Sequence, residues 1–522
     1  MKYRCAGLFM SFIILFLCPQ PGIHAQDTGK ISVQYNIQAT RQTIHNFSAS
    51  DAWACQFVGN WPDEKKNRIA DWLFSLDTIA DGSPRGIGLS MWRYNIGAGS
   101  AEQGDSSGIK DEWRRAASFK SDGIEAKKKI QSQNWFLVAA KKRGVTQFLG
   151  FFNSAPVQLT INGKSYASKG KCNISDSNYK AFAQYAVAAI RQIKKVTGAG
   201  LNYISPVNEP QWDWSDGGQE GCPYNNSEIS NIVKSFNSEF LKQNISSKIL
   251  IPEAGHLRYL LKETDKPGRD NQVTDFFNPS SSNYVGDLRT ITKVVAAHSY
   301  FTTSPASQAV TLRNRIKESI AQTKNVEYWQ SEYCILGDNA GEINGSKRDI
   351  GIKAALYVAK VIYYDLVAAN ASAWQWWLAV SPYDYKDGLI YIDKNKNDGN
   401  FYDSKMLWAL GNYSRFIRPG MQRIEVGTSS PEIYVSGFKY PNKNITVLVF
   451  VNTTAERKSI TLNNNGLPAG KTLTTYTTDM STNLKKEMVM ANQLIIPAES
   501  IVTVIVNNEN KPGNSKTGTF QK

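Results

Sequence analysis

From about residue 46 to residue 416, short apolar runs alternate with stretches whose apolar residues recur at helical spacing. The runs predict strands at Gly88–Asn95, Thr146–Asn153, Tyr203–Asn208, Lys248–Pro252, Val294–Tyr300, Glu327–Glu332 and Ser372–Trp377. An opening strand near Ile44–Ala52 brings the number to eight. Helices are expected between them. Lys65–Leu76 places Ile69, Trp72, Leu73 and Leu76 on one face, and Tyr179–Val196 does the same before stopping at Gly198. Ala354–Val367 follows the same pattern. Eight strand–helix alternations of this length predict an α/β fold, a (β/α)8 TIM barrel with enlarged loops.

Near residue 420 the period changes. Glu432–Gly437, Ile445–Asn452, Ser459–Asn463, Thr472–Thr478, Gln493–Ile496 and Ile501–Val506 alternate at period two between Asn and Gly punctuation. They predict an appended antiparallel β-sandwich. Lys30–Gln38 alternates too and is expected to join it. The expected organisation is a signal peptide (1–25), an N-terminal strand segment (26–45), a catalytic barrel (46–416), a β-sandwich (417–507) and a polar tail (508–522).

The N-terminus narrows the setting. Lys2 and Arg4 precede the apolar run Gly7–Cys18, which is too short to span a bilayer comfortably, and Ile23-His24-Ala25 offers a cleavage point. This predicts a secreted or periplasmic protein with no membrane insertion in its mature form. A lipoprotein fits less well, because Leu17 precedes Cys18 where a small residue is needed. Aromatics make up 11% of the chain, which excludes disorder as its main theme. The formal charge of +15 falls by two with the leader and is scattered. Lys127-Lys128-Lys129 and Lys141-Lys142-Arg143 read as solvated helix faces, and no pattern supports a nucleic-acid partner. Neither CxxC nor HExxH occurs, so no metal and no cofactor is expected.

The chemistry should sit where barrel strands end. Strand four ends in Ser205-Pro206-Val207-Asn208-Glu209-Pro210, and strand seven in Gln330-Ser331-Glu332-Tyr333. Glu209 and Glu332 would face each other across the barrel mouth. Two such carboxyl groups suit glycoside hydrolysis: one protonates the leaving oxygen while the other attacks the anomeric carbon. A separation of about 5–5.5 Å implies retention of configuration, and about 6.5–9.5 Å inversion.

Four segments carry a family resemblance: Ser205–Trp214 (SPVNEPQWDW), Arg93–Ser100 (RYNIGAGS), Gln330–Tyr333 (QSEY) and Leu410–Gly420 (LGNYSRFIRPG). With them the chain resembles glycoside hydrolase family 30, a family of the retaining clan with catalytic Glu residues on strands four and seven. The resemblance implies that Glu209 is the acid/base and Glu332 the nucleophile. It also implies that Asn208 bonds the sugar hydroxyl beside the reacting carbon, and that the partner is a polysaccharide or oligosaccharide. Many members carry an aromatic residue in an SPPxW/Y-type motif after strand three. Here Asn153–Leu159 reads NSAPVQL, with Gln158 near that place. Together with WRYNIGAGS and NEPQWDW, this looks most like the endo-β-1,6-galactanase branch. A β-1,6-glucanase, a xylanase or an exo-β-glycosidase on the same machinery, or a catalytically silent glycan-binding protein, is the alternative.

Position gives other residues expected roles. Arg93 ends strand two and is placed to fix the charge state of one Glu. His298 and Tyr300 end strand six on one face, with Tyr300 in reach of Glu332. Trp376 is chosen from the Trp374-Gln375-Trp376-Trp377 run as the floor under the sugar, and Trp53, Trp212 and Trp214 are expected to line flanking subsites. The run Asp393–Gly399 resembles a calcium loop but lacks its spacing, since Gly399 is seventh and Ser404 twelfth, so a hairpin is expected there. Cys172 and Cys222 lie in loops after adjacent strands and predict a disulfide, leaving Cys55 and Cys334 free and buried.

Overall fold

The computed structural model describes residues 30–119, 132–263, 265–463 and 470–507. The signal segment, the Lys127-Lys128-Lys129 run and the tail from 508 lie outside the described residues.

Eight parallel strands close into a barrel in chain order: Asn46–Ser50, Met91–Asn95, Gln147–Phe151, Tyr203–Ser205, Lys248–Ala254, Ile291–His298, Glu327–Glu332 and Ala373–Ser381. Closure falls on the last strand, where Trp374 pairs with Phe47 on one side and Gln330 on the other. Inside the barrel Met91, Leu149, Leu250, Val294, Ala296, Trp329 and Ala373 form a separate apolar plug. Their strand neighbours at odd spacing face the helix layer, so these strands read as continuous apolar runs.

The helices follow from local signals. Tyr179–Thr197 buries Phe182, Ala186, Ala189, Ile190 and Ile193 and ends at Gly198, whose φ of +69° a side chain would strain. Asn226–Lys242 starts in a capping box between Asn225 and Glu228. The helix expected at Lys65–Leu76 runs over Asp63–Phe74 and leaves Leu76 exposed, because Ser75 turns to ψ 137°.

Strand eight continues sideways into Gly388–Ile392 and then Phe401–Asp403, which pair as a hairpin. In its loop, Asp393 accepts from the backbone and side chain of Asn400, and Asp398 accepts from Lys65. Those carboxylates are already occupied by N–H donors.

The second domain is a nine-stranded sheet. It includes Ile31–Thr43, from before the barrel, which pairs antiparallel with Gln422–Thr428 and parallel with Lys458–Asn463. The sheet is therefore mixed where a wholly antiparallel one was expected. A strand delivered from the far side of the barrel is free of the hairpin constraint on direction. Ile445–Asn452 shows why this domain holds to the barrel. Leu448 and Phe450 enter the sheet's own core, while Val447, Val449 and Val451 join the barrel's core.

Candidate active site

The strand ends bring Arg93, Glu253, His298 and Glu332 into one buried cluster and set a third carboxyl, that of Glu209, beside it. Arg93, from strand two, is fully buried and its guanidinium carbon lies 3.8 Å from the Phe151 ring centroid. One of its amino groups donates to Glu332 Oε2 and the other to Asn208 Oδ1 at 3.1 Å. Asn208 is held from its other end, donating to Asn153 Oδ1 at 3.0 Å. Tyr300 donates to Glu332 Oε1 at 3.1 Å. His298 donates through Nδ1 to Glu209 Oε1 at 2.9 Å and through Nε2 to Glu253 Oε2 at 3.2 Å.

Glu209 sits at φ +45°, a left-handed conformation unusual for a Glu, and its backbone N–H donates to the carbonyl of Glu253 at 2.8 Å. The indole of Trp214 donates to the Glu209 carbonyl at 3.0 Å. The backbone is thus tied on both sides of an uncommon geometry. Ligand atoms of Glu209, His298 and Glu332 all lie within 4.8 Å of one another, so an oxygen of one catalytic carboxyl comes within that distance of an oxygen of the other. That spacing also suits a metal ion. However, the lone pairs of Glu332 already meet Arg93 and Tyr300, and a cation here would press against the guanidinium.

Electrostatics sets Glu209 apart. Burial pushes the Glu209 carboxyl up, and the contact with His298 only partly offsets it. Burial would lower the His298 imidazole, but Glu332, Glu209 and Glu253 overcome it and hold its pKa at about 9. Burial likewise opposes ionisation of Glu253, and Arg93 and His298 bring it down to about 2. With Glu209 protonated, Arg93 and His298 balance Glu253 and Glu332, and the centre is neutral. One neutral acid beside one carboxylate can protonate a leaving oxygen and attack the carbon it leaves.

These side chains face a cleft of about 350 Å³ lined by Asn208, Glu209, Trp212, Tyr300, Glu332 and Trp377 among others. Trp212 is partly exposed in its wall. Its Nε1 would lie 2.4 Å from a Cβ at position 255, so Gly255 permits the approach. Trp53 stands behind the wall with its ring edge-on to Trp377 at 5.4 Å.

The expected floor residue is corrected. Trp376 is fully buried away from the cleft, donates to the Asp387 carbonyl at 2.7 Å and packs beside Trp374 and Tyr333. Ala373 belongs to the interior plug, so strand alternation sends Gln375 and Trp377 inward and Trp374 and Trp376 outward. Glu253 lies beyond the expected strand Lys248–Pro252, because the strand runs two residues further, to Ala254. Its signal, an acid closing an apolar run, is the one that marks Glu209.

The loops after strands three and four pair as expected, Tyr166 with Gly221 and Ala167 N–H to the Trp214 carbonyl at 2.9 Å. Cys172 and Cys222 are neighbouring free thiols, and the backbone N–H of Asn173 donates to Cys222 Sγ at 3.2 Å. The fold supplies proximity, whereas the expected disulfide requires oxidation. Cys55 and Cys334 are free and buried.

A carboxyl pair of this spacing at the mouth of a (β/α)8 barrel, walled by tryptophans, is the apparatus of glycoside hydrolysis. The model of O-glycosyl hydrolase family 30 matches residues 30–391, and the chain belongs to that family. An endo-β-1,6-galactanase of Hypocrea rufa is 24% identical over 398 residues, 73% of each chain. A conserved exported protein from Bacteroides fragilis has a structure matching 91% of this chain and all of its own, with 32% identity and a TM-score of 0.83. The catalytic domain of xylanase C from Talaromyces cellulolyticus matches 91% of this chain and 99% of its own, with 19% identity and a TM-score of 0.64.

Proposed function

We propose that the protein is an exported, retaining endo-β-1,6-galactanase that cuts the galactan side chains of arabinogalactan. The observation that carries the mechanism is the pairing of a close carboxylate spacing with opposite environments. Glu332 is held by Arg93 and Tyr300, while burial favours the protonated form of Glu209. Glu332 attacks the anomeric carbon as Glu209 gives its proton to the departing oxygen, forming a glycosyl ester on Glu332. Glu209, now a carboxylate, takes a proton from water as that water attacks the same carbon and the ester bond breaks. Esterification removes the charge of Glu332, so the neutral centre is restored only when Glu209 has lost its proton. Asn208, fixed by Arg93 and Asn153, is aimed to bond the hydroxyl beside the reacting carbon.

The substrate reading rests on the relative that acts on β-1,6-galactan and on the NSAPVQL segment after strand three. Its rival is a xylanase, favoured by the likeness to a xylanase domain. Product sizes from β-1,6-galactan, a linear β-1,6-glucan and glucuronoxylan decide between them. Short galactan oligomers are expected. Release of xylo-oligomers with galactan untouched would overturn the substrate reading and leave the mechanism standing. Export rests on the basic and apolar leader; a mature N-terminus at Gln26 in the culture medium or periplasm is its test. We extend the proposal to a Cys172–Cys222 bond in the exported protein, which would clamp the loop bearing Trp212 and Trp214; free thiols in a non-reducing peptide map would refute it.

A further inference from the structure

Beyond the catalytic cleft lies a second cavity of about 610 Å³, and Phe301 lines both. Phe301 follows Tyr300, whose hydroxyl reaches Glu332, so the second cavity begins close to the cleavage point. The Phe301 backbone is left-handed at φ +57°, and its side chain is 54% exposed. A bulky residue in that conformation is strained, and an exposed ring gains little packing in return. Its ring runs nearly parallel to that of His256, with planes 22° apart and centroids at 6.4 Å. With buried His256 stacked against it, the exposed Phe301 ring is a flat apolar face of the kind on which a pyranose ring rests.

The polar groups here differ from those of the catalytic cleft. That cleft is lined by Glu209, Asp216 and Glu332, whereas the lining of the second cavity carries Arg258, Arg315 and His256 and no carboxylate. Arg315 is exposed and makes no ion pair among the described residues, and Arg258 has only a loose, half-exposed pair with Asp265 at 3.5 Å. His256 is 7% exposed and accepts the Arg258 backbone N–H at Nδ1, 3.2 Å away, so its Nε2–H remains to donate. Burial, then Arg258, pushes its imidazole down to about 4, so it is an uncharged donor near neutral pH.

We propose that this cavity is a subsite for an acidic sugar, a uronate unit of the glycan being cut, which stacks on Phe301 while Arg315 and Arg258 take its carboxylate. Two guanidinium forks match a carboxylate in shape and charge. A neutral sugar would leave Arg315 with water alone and Arg258 with only its loose Asp265 pair. The proposal rests on the hydrolase reading above but not on which backbone is cleaved.

The test compares glucuronate-bearing β-1,6-galactan and glucuronoxylan with the same polymers after carboxyl reduction, which turns each carboxylate into a hydroxymethyl group. The acidic form of the cleaved polymer should be cut with a kcat/KM about tenfold higher, the scale of a charge-assisted hydrogen bond at a partly open site. Added salt should shrink that ratio. In the Arg258→Ala/Arg315→Ala double variant it should fall to near one. Gel retardation of the Glu332→Gln protein in gels holding each polymer reads binding without cleavage, and acidic polymer should retard it more. Greater retardation by acidic galactan that is itself left uncut would sink the substrate reading but keep the subsite. Equal retardation by the acidic and reduced forms, or a ratio unchanged in the double variant, would overturn the subsite whichever backbone is cut.

Discussion

Replacing Glu253 with Gln removes one charge from the floor of the active centre and almost no volume. Glu253 is fully buried and accepts from Ser205 and Ser331, each at 2.6 Å, and from His298 at 3.2 Å, with Arg93 at 3.7 Å. An amide offers one acceptor oxygen where the carboxylate offers two, so one hydroxyl or the imidazolium meets an N–H instead. Stranding a buried cation in this way costs about 3–5 kcal/mol. The titration gives a second measure. Glu253 falls from the ordinary carboxylate range to about 2, so it stabilises the fold above its unfolded pKa and loses that contribution as pH falls toward 2. A depression of roughly two units is worth about 3 kcal/mol, which agrees with the first figure. The two describe one network and are not added. All 13 tryptophans lie between Trp53 and Trp408, so tryptophan fluorescence in denaturant follows the barrel alone. The Glu253→Gln protein should be less stable by about 3 kcal/mol near pH 6, with the gap narrowing steadily toward about pH 3. An undiminished stability, or a gap that does not change with pH, would refute the assignment of Glu253 as the counter-charge.

Glu332→Gln should lower turnover by about 10⁴-fold or more on every β-linked substrate, since no nucleophile remains. Glu209→Ala should spare activated aryl glycosides, and added azide should then yield a β-glycosyl azide, identified by mass and NMR. Because burial raises the Glu209 pKa, the needed acid is present below that value, and kcat/KM should fall as pH rises through it. The Glu209→Ala protein should lack that alkaline limb on aryl substrates. Trp377→Ala should raise KM about tenfold, whereas Trp376→Ala should cost about 3–5 kcal/mol of stability, as a fully buried ring does, and leave KM little changed. A Trp376→Ala protein that is stable but binds poorly would reverse the strand-eight assignment.

The eight barrel strands were legible because each is an apolar run that stops at a polar side chain, and Glu327–Glu332 and Ile445–Asn452 match to the residue. Strands that bury little were not. Lys485–Met490 is almost wholly exposed at the sheet edge, and its charges read as loop. Gln422–Thr428 alternates only weakly because its second half is open to solvent. Facing is harder to read than existence. In a strand buried on both sides, hydrophobicity carries no parity, so the run Trp374–Trp377 could not say which ring turns inward. Charge balance is equally hidden. Glu209 and Glu332 announce themselves by sequence, but the Arg93–Glu253–His298 network that sets their protonation spans strands two, five and six, and only the closed barrel joins them.

The central claim, that Glu209 and Glu332 stand close enough for double displacement, is tested most directly by the anomer of the first product. On whichever glycan of the panel is cut, early proton NMR spectra should show the β-anomer appearing first and the α-anomer growing in later by mutarotation. An α-anomer appearing first would contradict the account and make Glu332 a base that activates water.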